Sequence, residues 1–284
     1  MLRLGLRTIL VGALLVATAC GGATANEDGR IEVVASAYPL AWAAERAGGE
    51  AVHVTNLTPP GVEPHDLELS PEDLEAISSA DVVLTIGGGF QPAVEEAVAA
   101  EASGTVVDVA PVDGDPHVWL DPAGFADVVG RIADALGAAG VADATGNATT
   151  VEEDLATLDD DLRAGLAECD SRLLLVNHAA FGRLAAAVDL TQASISGTAP
   201  EAEPDPARIA ALAELARGEG ATTVFTEPLA PPDVAETLAA EAGLTTAVLD
   251  PVEGPSDEQL AAGEDYLSIM RTNLETLRDG LGCR

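Results

Sequence analysis

The run "TTVEEDLATLDDDLRAGLAEC" (Thr149–Cys169) interrupts a pattern that otherwise fills the chain. Val151, Leu155, Leu158, Leu162 and Leu166 recur at steps of three and four residues, and the intervening positions are mostly acidic. That spacing predicts a helix with one buried stripe and one solvated face. Residues 123–139 predict another helix just before it, with no strand between the two. On both sides the pattern is different: short apolar runs alternate with helical ones.

Upstream, IEVVAS (31–36), AVHVTNL (51–57), DVVLTI (81–86) and TVVDVA (105–110) read as strands. The segments 39–48, 71–79 and 91–102 read as helices. The helix at 71 is well marked, with Ser70 as cap, Pro71 at the first position and Asp73 as the third-position acid. Downstream, RLLLVN (172–177), LTQASI (190–195), TTVFTE (222–227) and TTAVLD (245–250) read as strands. Helices are expected at 180–188, 205–218, 231–242 and 257–281. Strand–helix alternation with apolar strands implies parallel sheets covered by helices. The fold class is therefore α/β: two four-stranded parallel-sheet lobes joined by a long helix. The predicted organisation is a leader at 1–19, a tether at 20–30, an N-terminal lobe at 31–140, a connecting helix at 141–168 and a C-terminal lobe at 169–284.

The first nineteen residues carry Arg3, Arg7 and a short apolar run from Ile9 to Ala17, the pattern of an export signal. "VATAC" resembles a relaxed bacterial lipobox, with Ala17 where leucine is usual, which makes Cys20 the expected lipidation site. A secreted protein with an incidental cysteine is the alternative. Of the remaining cysteines, Cys169 and Cys283 either pair in a disulfide, as an oxidising compartment permits, or stand as separate thiols. The formal charge is −35, with 48 acidic residues against 13 basic ones, all arginine. Such a field repels nucleic acid and anionic lipid. General acidification of an exported protein accounts for most of it, so the net charge assigns no ligand. Gly87-Gly88-Gly89 follows a strand but lacks phosphate-binding spacing and reads as a turn.

Only four histidines are present. His65, in "TPPGVEPHDLELSP", follows the second strand; His117, in "GDPHVWLDP", follows the fourth; His178 follows the fifth. All three lie beyond the carboxyl ends of parallel strands, where open α/β sheets bind ligands. Glu227 and Asp250 end later strands in the same manner. His53 sits within a strand. Imidazole is the commonest transition-metal side-chain ligand, and three imidazoles with one carboxylate close a four-coordinate shell. A closed shell favours holding a metal over using it in catalysis. Asp115 and Asp121 are candidates to support the His117 ring, and Trp119 to pack beneath it.

At these residues the chain resembles the zinc and manganese solute-binding proteins of bacterial ABC importers. The likeness is carried by "GVEPHDLELSP", "DPHVWLDP", "NHAAFGRL", "EAEPDPARIAAL", "VFTEPL" and "VLDP". Arg183 stands where the family usually has tyrosine, and the His-rich loop frequent in zinc-directed members is missing before His117. The resemblance implies a C-clamp and a metal held by His65, His117, His178 and Asp250, with Glu227 a lesser candidate. It implies Zn2+ as the transported ligand, with Mn2+ the alternative, and no enzymatic activity. It further implies an extracytoplasmic, lipid-anchored monomer that serves an ABC permease and its ATPase. A metal-dependent hydrolase using Glu227 as base is the enzymatic rival, and no HExxH spacing supports it. A non-metal binding or adhesion module with incidental histidines is the other rival.

Overall fold

The computed structural model describes residues 29–110, 114–198 and 206–284. The leader, Cys20 and most of the expected tether lie outside the described residues.

The first lobe contains β1 (Ile31–Ala35), β2 (Val52–Asn56), β3 (Val82–Thr85) and β4 (Thr105–Asp108), with α1 (Tyr38–Gly48), α2 (Pro71–Ser79) and α3 (Pro92–Glu101) between them. The second contains β5 (Leu173–Val176), β6 (Thr191–Ser194), β7 (Thr223–Thr226) and β8 (Thr245–Val248), with α6 (Gly182–Ala187), α7 (Pro206–Gly218) and α8 (Asp233–Ala242). The strand orders are β2-β1-β3-β4 and β6-β5-β7-β8, and every pairing is parallel. The two halves therefore share one topology. Each changes winding direction beside its first strand, which opens a crevice at the strands' carboxyl ends.

The central strands β3, β5 and β7 are buried along their whole length, as expected where helices cover both faces of a sheet. Helix α2 begins with the anticipated cap. Ser70 Oγ accepts from the Asp73 N–H, and the Asp73 carboxylate accepts from the Ser70 N–H.

The interruption consists of α4 (Pro122–Ala139) and α5 (Ala144–Gly165). Val151, Leu155, Leu158, Leu162 and Leu166 are all buried, as their spacing predicts. They join a core that includes Trp42, Phe125 and Tyr266 and runs through both lobes. A connector buried in a shared core is stiff, so it holds the two crevices at a defined separation.

The last predicted helix is divided. It forms α9 (Asp257–Ala261) and α10 (Tyr266–Leu281), each opened by its own capping box. Gly263 at φ 82° turns the chain between them, and Asp265 caps the new start by accepting from the Ser268 N–H. Cys169 and Cys283 form a disulfide that ties the end of the chain beside the exit of α5.

Candidate metal centre

Each sheet sends two side chains into the space between the lobes. His65 comes from the loop after β2 and His117 from the loop after β4. His178 follows β5, and Glu253 lies in the loop after β8. One ligand atom from each of these four residues lies within 4.8 Å of all the others. Glu253 Oε1 is 3.2 Å from His117 Nε2, 3.8 Å from His178 Nε2 and 3.9 Å from His65 Nε2.

A tetrahedral zinc ion with bonds of about 2.0–2.1 Å sets its ligand atoms roughly 3.3–3.4 Å apart. Glu253 Oε1 already stands 3.2–3.9 Å from the three nitrogens, and no two of the four atoms are more than 4.8 Å apart. All four are buried, and none has a hydrogen bond of good geometry among the described residues. Buried polar atoms without partners carry a penalty that a shared cation removes. The donor set fits zinc: three neutral-nitrogen ligands and one carboxylate, closing a four-coordinate shell.

The Nδ1 atoms of two of the rings face carboxylates. His117 Nδ1 lies 2.8 Å from Asp115 Oδ1, which also accepts from the His117 backbone N–H. His178 Nδ1 lies 2.5 Å from Glu227 Oε2, and Glu227 Oε1 accepts from the His178 N–H. A carboxylate on Nδ1 fixes the ring and leaves Nε2 for an ion. Glu227 thus supports His178 and faces Nδ1, while the cluster uses Nε2. His65 packs edge-on against Phe90, with ring centroids 4.5 Å apart.

The fourth position differs from the expectation. Asp250 turns away from the histidines: Oδ1 accepts from the Val252 N–H and Oδ2 from the Gln259 side-chain amide. Strand β8 ends at Val248, and two further loop residues, Pro251 and Val252, separate Asp250 from Glu253, the carboxylate that enters the cleft. Asp121 also does not reach His117. It stands at the start of α4, makes no side-chain cap bond, and its Oδ1 is buried without a hydrogen bond among the described residues. His53 lies on β2 beside Glu32, at 2.7 Å, apart from the cluster. Trp119 is fully buried and packs against His117 as anticipated, with centroids 5.4 Å apart.

Charge coupling shapes the site. Burial on its own lowers the His117 pKa, but Asp115 and Glu253 outweigh it and raise the value to about 9. His178 is raised in the same way, with Glu227 and Glu253 overcoming burial. His65 lacks so close an anion; burial drives it down to about 4. Burial pushes Glu253 up, and the pull of His117, 3.2 Å away, followed by that of His178, brings it below the ordinary carboxylate range. Glu63 lies nearby and accepts from the His65 N–H. Burial and then repulsion from Glu253 lift it to about 7.

Fold and site together define a two-lobed clamp whose cleft offers one four-coordinate ion position. Residues 33–280 match the family described as ZnuA, zinc-uptake complex component A, periplasmic, and the chain belongs to that family. It is a family of zinc-binding uptake components, not of enzymes. Among relatives, zinc-binding protein AdcA of Streptococcus pyogenes serotype M3 is 33% identical over 88% of this chain and 56% of that protein. The chain thus spans little more than half the length of that relative. The high-affinity zinc uptake system protein ZnuA of Bacillus subtilis is 28% identical, with 96% of each chain covered. The crystal structure of the Zn(II)-bound ZnuA-like domain of Streptococcus pneumoniae AdcA superposes with a TM-score of 0.77 at 30% identity, covering 89% of this chain and 99% of that one.

Proposed function

We propose that this protein captures a single zinc ion outside the cytoplasm and delivers it to the permease of an ABC importer driven by its ATPase. The ligands are His65, His117, His178 and Glu253, while Asp115 and Glu227 orient two of the rings. One observation carries the reading: four buried ligand atoms, two from each lobe, face one another with no other hydrogen-bond partner among the described residues. A shell filled by four protein ligands leaves no position for a reacting water, which argues for carriage over hydrolysis. Zinc is favoured over manganese because three imidazoles suit it and the Irving–Williams order places it higher. The names borne by AdcA and ZnuA point the same way.

In this reading residues 1–19 are a leader, and Cys20 carries the lipid that holds the protein, as a monomer, at the outer face of the membrane. Residues 20–30 are the tether. The Streptococcus pneumoniae relative is named a lipoprotein, which supports the anchor. Titration of metal-stripped protein with zinc and with manganese under matched conditions tests the ion. One tightly bound zinc per chain is expected, with weaker manganese binding and loss of both in His117→Ala. Tighter manganese binding, or zinc binding untouched by His117→Ala, overturns the proposal.

A further inference from the structure

The loop after β8 is held in a conformation that its sequence does not favour. Val252 has φ 59°, in the left-handed region, and its side chain is fully buried. A branched residue is strained there and persists only where its surroundings impose the turn. Here the constraints fall on the residues just before Glu253. Asp250 Oδ1 accepts from the Val252 N–H at 2.7 Å. The backbone of Asp250 is bound on both sides by Asn273 of α10, which accepts from its N–H at 2.9 Å and donates to its carbonyl at 2.6 Å. The Pro251 carbonyl accepts from the Trp119 indole N–H at 2.7 Å, and Trp119 belongs to the loop that carries His117. Gln259 of α9 donates to Asp250 Oδ2 at 3.3 Å. Glu253 follows this fixed corner and is almost completely buried.

We infer that Asp250 is a positioning residue. It holds the left-handed turn at Val252 and so presents Glu253 Oε1 to the three histidines, without touching the ion. The inference rests on the zinc reading above. A glutamate on an unconstrained loop samples many arm positions, and zinc binding must then select one of them. The Asp250 carboxylate makes that selection during folding, because an Asx turn closes on the N–H two residues ahead. An asparagine supplies the same acceptor to Val252 and sacrifices only the longer bond from Gln259. An alanine supplies neither.

The test compares Asp250→Asn, Asp250→Ala and Glu253→Gln, using zinc affinity and the visible spectrum of the cobalt(II)-loaded protein. Asp250→Asn is expected to bind zinc within about fivefold of the parent, with the parental cobalt spectrum, because the turn acceptor is kept. Asp250→Ala is expected to lose about 10- to 100-fold, the usual effect of removing an outer support. Glu253→Gln is expected to lose more and to change the cobalt spectrum, since a ligand is altered. If Asp250→Asn alters the spectrum as Glu253→Gln does, Asp250 is a ligand and the inference fails. Unchanged affinity in Asp250→Ala, with only a lower melting temperature, also overturns it. Should Asp250→Ala fail to fold, the Asp250→Asn spectrum decides on its own. A parent protein that binds neither ion overturns the zinc reading and this assignment together.

Discussion

Lowering the pH from 8 to 6 should weaken zinc binding in a pattern that ordinary histidines do not give. In the ion-free protein His117 titrates at about 9, because Asp115 and Glu253 hold its proton against the opposing effect of burial. Zinc must expel that proton from Nε2. Throughout pH 6–8 the ring is protonated, so each unit of pH changes the apparent association constant about tenfold, or ~1.4 kcal/mol. His117 alone therefore accounts for about a 100-fold loss between pH 8 and pH 6. His178 is raised by Glu227 and Glu253 and steepens the slope wherever the pH lies below its value. His65, at about 4, is already neutral and adds nothing above pH 5. Three histidines with unshifted values near 6.5 would instead give level affinity above pH 7.5 and a slope approaching three below pH 6. The assay is competition against a chromophoric zinc chelator in non-coordinating buffers from pH 6 to 9.5. Affinity still climbing between pH 7.5 and 8.5 is the expected result. A plateau from pH 7 upward refutes the charge coupling described for His117.

Linkage gives the same shift a second consequence. Because the folded-state value lies above the unfolded one, His117 stabilises the ion-free fold fully below pH 6.5. That contribution disappears as the pH rises through 9. The rise in melting temperature on adding zinc should therefore grow with pH over this range, measured by calorimetry with and without the ion. Replacing Cys169 and Cys283 by alanine opens a bridge between residues 114 apart; loop entropy sets the cost at roughly 4–5 kcal/mol. Chemical denaturation should show that loss while zinc stoichiometry stays at one, and an unchanged midpoint contradicts it. Gly254→Ala places a Cβ 2.8 Å from the Val62 carbonyl, across the cleft. Overpacking of about 1–3 kcal/mol should weaken zinc binding by holding the lobes apart, and undiminished affinity by calorimetric titration rules this out. Trp119→Phe leaves the buried Pro251 carbonyl without its donor. A stability loss of about 1–3 kcal/mol is expected on denaturant titration, and a neutral result shows that the strut carries no load.

Much of this architecture is legible in the chain because its signals are periodic or punctuated. Val151, Leu155, Leu158 and Leu162 of α5, with Leu166 at its C-cap, are spaced as a helix requires, and all five are buried. His65, His117 and His178 are visible because each follows a readable strand, and a parallel sheet directs every such loop to the same edge. Glu253 escapes that logic. It lies beyond the strand end, after a turn at Val252 whose positive φ no glycine announces. Asp250 has the position expected of a ligand, and its carboxylate is taken by the local backbone instead. The usable signal was "PVEGP", where one acid is enclosed by two prolines and a glycine. The roles of Glu227 and Asp115 depend on which ring nitrogen a carboxylate meets, a matter of tertiary geometry. The division between α9 and α10 was readable from Gly263 followed by the cap pair Asp265 and Ser268.

The most direct test of the central claim is a crystal structure of the zinc-loaded protein with anomalous data collected at the zinc edge. One anomalous peak is expected between the lobes. It should be bonded at about 2.0–2.2 Å to Nε2 of His65, His117 and His178 and to a carboxylate oxygen of Glu253, with Asp250 still turned to Val252. Zinc coordinated by Asp250, or no zinc among these four residues, contradicts the claim.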